Sequence, residues 1–488
     1  MGREDETRDI RIQKLKNLEA EGVLAYPGST KRTHTIKEVQ DEFEELERSK
    51  SIVTLTGRIR SIRRHGGSCF VDLQDGTASF QLFVSKKELD ETKYKLFVDT
   101  IDPGDFIEAS GVLFVTKQNQ QSLQTGEINL LSKALRDLPS DHFGIKNIET
   151  RLRKRYIDLA VNEETRELFR KKAVFWQTIR NIMLEAGFLE VWTPVLENIP
   201  GGAEAEPFIT HYKALDREFY LRISLELPLK KLLVGGYEKV FEIGRIFRNE
   251  GISAEHLQDY TQLEFYWAYA DYHDLMKFLV TLYRQTIIAV TGGTEVSSGG
   301  QTVDWGNKWK EYDYVELFQE RTGLDLRQAT EKDLQKKASE LKLKFESFTG
   351  RGRLIDLLYK KTVRPTLIEP GFLLNPPVEI EPLAKRLPQD NSRVQRLQVV
   401  AWGTELGKGF TELNDPLDQR ARFEEQMRLR EAGDTEAQMI DEDYLEAQEY
   451  GMPPCTGFGL SERLFAVLMD KPARETVMFP PLREEGGK

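Results

Sequence analysis

Phe241–Tyr272 reads FEIGRIFRNEGISAEHLQDYTQLEFYWAYADY. Apolar and polar residues alternate from Val240 through Glu242 and Ile243 to Phe247, a strand pattern. A polar loop with Gly251 at its turn follows, and a second apolar, aromatic strand runs from Thr261 to Tyr269. A connection of roughly ten residues is longer than a tight hairpin needs, and loops of that length tend to carry function. Arg248, Glu250 and His256 stand at its two ends. A planar guanidinium at a strand end can hold a carboxylate or phosphate in one orientation. An isolated Arg-Asn-Glu is more often a surface ion pair, so the rest of the chain has to decide.

The 488 residues allow two or three domains, and 39 % hydrophobic with 31 % charged residues describes a globular chain with a charged surface. No apolar run is long enough to cross a bilayer, and the first 22 residues lack the apolar core of a signal peptide. Cys69 and Cys455 are the only cysteines, which excludes a disulfide framework and a cysteine zinc site and points to the cytoplasm. A net charge of −11 argues against a general nucleic-acid coat protein but permits local basic patches.

Residues 1–50 are expected to be a helical segment, with a turn at Tyr26-Pro27-Gly28 and a second helix over Thr35–Ser49. Residues 51–140 change to short alternating strands broken by Gly66-Gly67 and Asp75-Gly76, with a helical interruption near Glu88–Phe97. This meander suits an oligonucleotide-binding (OB-fold) barrel. Arg58, Arg60, Arg63 and Arg64 cluster there, with Phe70 and Gln81 on neighbouring strands. A stacking face, an amide and a basic rim are what single-stranded RNA requires, although Phe70 as plain core is the simpler alternative. Residues 141–165 form a basic linker, and the remainder, 166–485, alternates helices with strands.

The ordered set GGAEAEPFIT, LRISLEL, FRNEG, QLEFYWAYADY, EPLAKR, GTELGKGFTELND and GFGLSER with a distal FPPLR resembles the class II lysyl-tRNA synthetases over about residues 50–485. Motif 1 falls near 175–197, with Pro194; motif 2 near 240–267; motif 3 near 455–483, where Gly457 and Gly459 would let backbone approach a flat ligand. The resemblance implies an α+β catalytic domain with an antiparallel sheet flanked by helices, an N-terminal all-β OB-fold that reads the anticodon, and a homodimer through motif 1. It implies an ATP-dependent ligase that makes lysyl-adenylate and passes lysine to the 3′ end of tRNA-Lys, with Mg2+ as cofactor.

By that resemblance Arg248 and Arg463 are the catalytic cations. ATP is bound by Arg248, Glu250, His256, Tyr260, Glu405, Gly459 and Arg463, and lysine by Gly202, Glu226, Arg248, Glu264, Tyr266, Lys408, Phe410 and Glu412. Metal would sit on Glu405 and the position of Gln398, and the anticodon on Arg58, Phe70 and Gln81. Carboxylates at the far end of the pocket would repel aspartate and leave a buried charge unpaired with a neutral substrate. That disfavours an aspartyl- or asparaginyl-type enzyme, and the retained Arg248, Glu250, Glu405 and Arg463 disfavour a non-catalytic RNA-binding paralogue. Four departures stand out. A motif 2 arginine and asparagine are replaced by Glu255 and Leu257. A metal-binding glutamate is replaced by Gln398, and a substrate-side asparagine by Lys408. Motif 3 is one residue short.

Overall fold

Alternation over 53–132 becomes five strands: β1 (Val53–His65), β2 (Ser68–Gln74), β3 (Ser79–Ser85), β4 (Phe106–Val115) and β5 (Gln121–Ser132). The computed structural model describes residues 3–139, 145–251, 257–345, 350–434 and 437–483. The strands pair in the order β1-β2-β3-β5-β4 and close through β1 against β4. Every second residue points inward: Val53, Leu55, Ile59, Val71, Leu73, Leu82, Val84, Ile107 and Leu123 fill the core. The path is not the plain meander expected, because β3 meets β5 in parallel across the helical interruption Lys86–Leu89 and Glu91–Thr100. The expected single helix over 35–49 is two, Ile36–Asp41 and Phe43–Ser49, the first opened by a Thr35/Glu38 capping box.

The chain divides into two units, Met1–Val161 and Asn162–Lys488. The division falls inside the stretch read as a linker, and helices Ile148–Arg153 and Arg155–Val161 lie in the first unit.

The second unit is built on eight strands: β6 (Leu189–Glu190), β7 (Lys239–Phe247), β8 (Asp259–Ala268), β9 (Lys310–Asp313), β10 (Gly371–Leu374), β11 (Arg396–Ala401), β12 (Thr404–Thr411) and β13 (Cys455–Ser461). Their order is β9-β10-β11-β12-β13-β8-β7-β6. The expected antiparallel sheet is corrected to a mixed one: β6 runs parallel to β7 and β9 parallel to β10 at the two edges, while the six central strands are antiparallel. Both edge pairs are joined through long connections, as parallel pairing requires. In the motif 3 region Gly457 and Gly459 stand within a full strand, β13, and helix Arg463–Leu468 follows it.

One face of this sheet buries Phe241, Leu263, Phe265, Leu397, Val399, Phe458 and Leu460 in one core with residues of helices Glu163–Glu185 and Tyr272–Thr291. Period-2 alternation then places Gln262, Glu264 and Tyr266 of β8, Arg396 and Gln398 of β11, and Lys408 and Phe410 of β12 on the opposite face. That face is the floor of the site.

Candidate active site

A cavity of about 1130 Å³ lies over the polar face of the sheet, room for a nucleotide and an amino acid together. Glycines make that room. Cross-strand register sets Gly457 opposite both Tyr266 and Phe410, and a Cβ there would overlap the Tyr266 ring. Gly457 therefore makes room for the Tyr266 ring, and both Gly457 and Gly459 line the cavity. Gly202 has φ +81°, and a Cβ on it would lie 2.7 Å from that of Glu226.

One end of the cavity is acidic. Glu226 opens helix Glu226–Val234, and Lys230, one turn on, buries its ammonium 2.5 Å from Glu226 Oε1 and in an ion pair with Glu412. The same ammonium lies 5.2 Å from the Phe410 ring centroid and 5.7 Å from that of Tyr266. Burial opposes charge on Lys230, but the carboxylates of Glu226 and Glu412 outweigh it and hold the ammonium protonated well above its usual range. Glu264 accepts from Ser224 Oγ at 2.8 Å, the Leu225 N–H at 3.1 Å, Gln262 Nε2 at 2.5 Å and Tyr266 OH at 3.4 Å. Burial, then the charge of Glu226, pushes the Glu264 carboxyl up to about 7. Two carboxyl groups thus share one ammonium while Glu264 has none, and Glu412 Oε1 is buried without a hydrogen-bond partner among the described residues.

The other end is basic and aromatic. Arg248 extends from the end of β7, tied by its own N–H to Gln258 O at 2.8 Å and by Nε to Ile223 O at 3.3 Å. Its guanidinium stands 5.8 Å from the Tyr260 ring centroid. Burial raises the Tyr260 pKa although Arg248 and Arg463 oppose the rise, so the phenol stays neutral. Arg463 begins the helix after β13, and its Nε is buried with no hydrogen-bond partner among the described residues. The preceding Glu462 is held 2.5 Å from Lys172. Glu250 lines the cavity, and its backbone N–H donates to Arg248 O at 2.8 Å. His256 and Glu255 lie outside the described residues.

A third group meets where β11 faces β12. Gln398 and Lys408 are direct cross-strand partners, and a register shift between Val399 and Val400 brings Glu405 within 2.6 Å of Gln398 Nε2. Lys408 Nζ lies 3.1 Å from Glu381 Oε2, and Arg396 Nη1 lies 3.4 Å from the same oxygen.

Every described site residue expected in the second unit lines this one cavity. Residue-by-residue reading missed Lys230, Glu381, Arg396 and Ser224. Lys230 had a visible signal, four residues after Glu226 on an otherwise apolar helix face; the others come from separate segments and carry none.

In the first unit Phe70 is not core. It is half-buried on the outer face of β2, with Phe83 at 5.2 Å and Phe114 at 5.9 Å from Phe83 forming an aromatic row. Gln81 Oε1 accepts from Ser122 Oγ at 2.9 Å, and the Arg58 guanidinium stacks 4.3 Å over Phe106. The basic cluster is partly used: Arg63 pairs with Asp72 at 2.6 Å and Arg64 donates to Val98 O at 2.6 Å.

Comparison with known proteins agrees with this architecture. Residues 147–483 match the family model of class II tRNA synthetases (D, K and N), and residues 53–131 match that of the OB-fold nucleic acid binding domain. A lysine--tRNA ligase of Roseiflexus castenholzii is 43 % identical, covering 98 % of this chain and 99 % of the relative. Those of Moorella thermoacetica and Bacillus subtilis are 42 % and 39 % identical, covering 98 % and 97 % of this chain and 98 % and 97 % of the relatives. The matches span both units and agree with the acidic pocket facing Arg248, and this chain belongs to the class II lysyl-tRNA synthetase family.

Proposed function

We propose that the protein is an ATP-dependent lysine--tRNA ligase. It joins L-lysine to ATP as lysyl-adenylate, releasing diphosphate, and transfers lysine to the 3′ end of tRNA-Lys, releasing AMP. The observation that carries the reading is the excess of carboxyl groups over ammonium at the Glu226–Glu264–Glu412 end, opposite Arg248. The side-chain ammonium and α-ammonium of the substrate, added to that of Lys230, balance the three carboxylates there. Phe410 and Tyr266 supply apolar walls for its methylenes, and Gly202 with Glu226 receives the α-ammonium.

In the first step the lysine carboxylate attacks the α-phosphorus, a new P–O bond forms, and the bond to the β-phosphate breaks. Two anions have to approach, so preorganised cations dominate the barrier. Arg248 bridges the carboxylate and α-phosphate, Arg463 with its unsatisfied Nε meets the nucleotide, and Tyr260 with Glu250 borders the base. The ATP–diphosphate exchange reaction tests this with each amino acid: lysine is expected to support it, and exchange with aspartate or asparagine but not lysine overturns the reading.

Magnesium accompanies ATP in this family, but the protein's own donors do not fit a held pair of ions. A carboxylate accepts only from the N–H end of an amide, so Glu405 fixes Gln398 with its amino group inward. Magnesium beside a nucleotide takes one or two carboxylates together with the phosphates, and at this corner the carboxylate available, Glu405, is already tied to Gln398. The first unit, with Phe70, Gln81 and Arg58 on its surface, is the expected anticodon reader. A homodimer through residues 175–197 is supported by exposed Leu184, Leu189, Trp192 and Leu196. No helix among the described residues is long and apolar enough to cross a membrane, and the two free, buried cysteines suit a cytoplasmic protein.

A further inference from the structure

The corner between β11 and β12 sets two cations against two carboxylates and so lacks the surplus of free carboxylates that a divalent-cation site presents. Two cations, Lys408 and Arg396, share one carboxylate, Glu381, at 3.1 and 3.4 Å. The remaining acid, Glu405, is capped by the Gln398 amide at 2.6 Å. Two groups are left wanting partners: Gln398 Oε1 and Arg396 Nε are both buried and unbonded among the described residues. Gln398 and Arg396 are only 4 % and 5 % exposed, so water does not satisfy them in bulk. Lys408, by contrast, keeps a side chain 42 % open to the cavity. A dication entering here would meet the exposed Lys408 ammonium, and the Glu405 carboxylate beside it already accepts from the Gln398 amide. A phosphate would meet the reverse, a point charge on a flexible stem backed by a fixed fork.

We propose that the Lys408 ammonium, backed by Arg396, is the resident cation facing the nucleotide phosphates, so that ATP binds without a divalent ion held by Gln398 and Glu405. The ion that the phosphates carry themselves is unaffected. The inference rests on the reading that this cavity takes ATP, and it deepens that reading: the strand pair that would cradle magnesium holds its own charge instead. The bulge in β11 and β12 is part of the device, because it turns Glu405 onto Gln398 and leaves Lys408 the exposed member of the cross-strand pair.

The test counts ions on the full-length protein. Manganese binding is measured by electron paramagnetic resonance with a non-hydrolysable ATP analogue, and analogue affinity is measured by calorimetry with and without EDTA. The expected result is at most one manganese ion per bound nucleotide, with affinity falling by no more than about fivefold on chelation, since an ammonium offsets phosphate charge directly. Lys408→Met should lower analogue affinity in EDTA by about tenfold or more, the loss of one charge-assisted contact. Gln398→Glu combined with Lys408→Asn should add a manganese ion. Two or more manganese ions on the unaltered protein overturn the proposal whether or not the variants fold, and so does unchanged affinity in folded Lys408→Met. Nucleotide bound with extra manganese refutes this inference alone, whereas no nucleotide binding under any condition refutes it together with the ligase reading.

Discussion

Arg248 shows how much one side chain is asked to do. It is anchored on the protein side by Ile223 O and lies against Tyr260, so its orientation does not depend on substrate. Removing such a preorganised cation costs about 3 kcal/mol in the transition state, so Arg248→Ala should slow lysine-dependent exchange by roughly a hundredfold or more while circular dichroism and melting stay near normal. Near-normal exchange would remove Arg248 from the chemistry. Glu264 gives a pH dependence. Its folded pKa, about 7, stands above the ordinary carboxyl value of 4.5. The folded protein therefore keeps a proton that the unfolded chain has lost. The resulting stability is fully present below 4.5 and is lost as pH rises through about 7. Lysine binding runs the other way, because its ammonium needs the ionised carboxyl. The KM for lysine should rise as pH is lowered from 8 to 6, and Glu264→Gln should flatten that slope. A slope unchanged in the variant would assign it to another group.

At the scale of elements, β13 and the barrel strands carry the clearest tests. Gly457 sits opposite Tyr266 in the strand ladder with no room for a side chain. Gly457→Ala should displace the ring, raise the lysine KM by roughly tenfold or more, and cost about 1–3 kcal/mol of stability, the usual cost of overpacking. A variant with an unchanged KM would mean that Tyr266 does not shape the pocket. On the barrel, Phe70 lies in an aromatic row on the outer face. Phe70→Ala should weaken tRNA charging by the ~1–3 kcal/mol of one stacked base and leave lysine activation alone. Equal losses in both steps would make Phe70 a structural residue. The strand alternation at 53–85 was readable because each strand has one wet face. The mixed character of the eight-stranded sheet was not, since alternation tells which face a residue takes but not which way a neighbouring strand runs.

For the whole molecule the matter is assembly. Trp192 is 79 % exposed on the segment after β6, beside exposed Leu189 and Leu196. Isolated exposed apolar residues are ordinary, but several together mark a contact surface. Sedimentation should find a dimer, and Trp192→Glu with Leu196→Glu should shift it to a monomer; a monomeric unaltered protein would contradict the assignment of 175–197 as the interface.

Residue order alone determined the family and named many of the described residues that line the cavity. The reason is that motif residues sit at fixed offsets on strands, and alternation sends them to one face. Gln262, Glu264 and Tyr266 were bound to share a side once β8 was a strand. Arg248 was bound to stand at a strand end. What tertiary structure decided is which charges meet. Glu381, Arg396 and Lys408 come from three segments, and only the register of β12 on β11 and the bulge beside Val400 bring them round one corner. Likewise Lys230 becomes the partner of Glu412 only when a helix and the residue just past β12, nearly two hundred residues apart, come together. Charge pairing across such separations follows from packing geometry, a sum over the whole chain, and no local pattern encodes it.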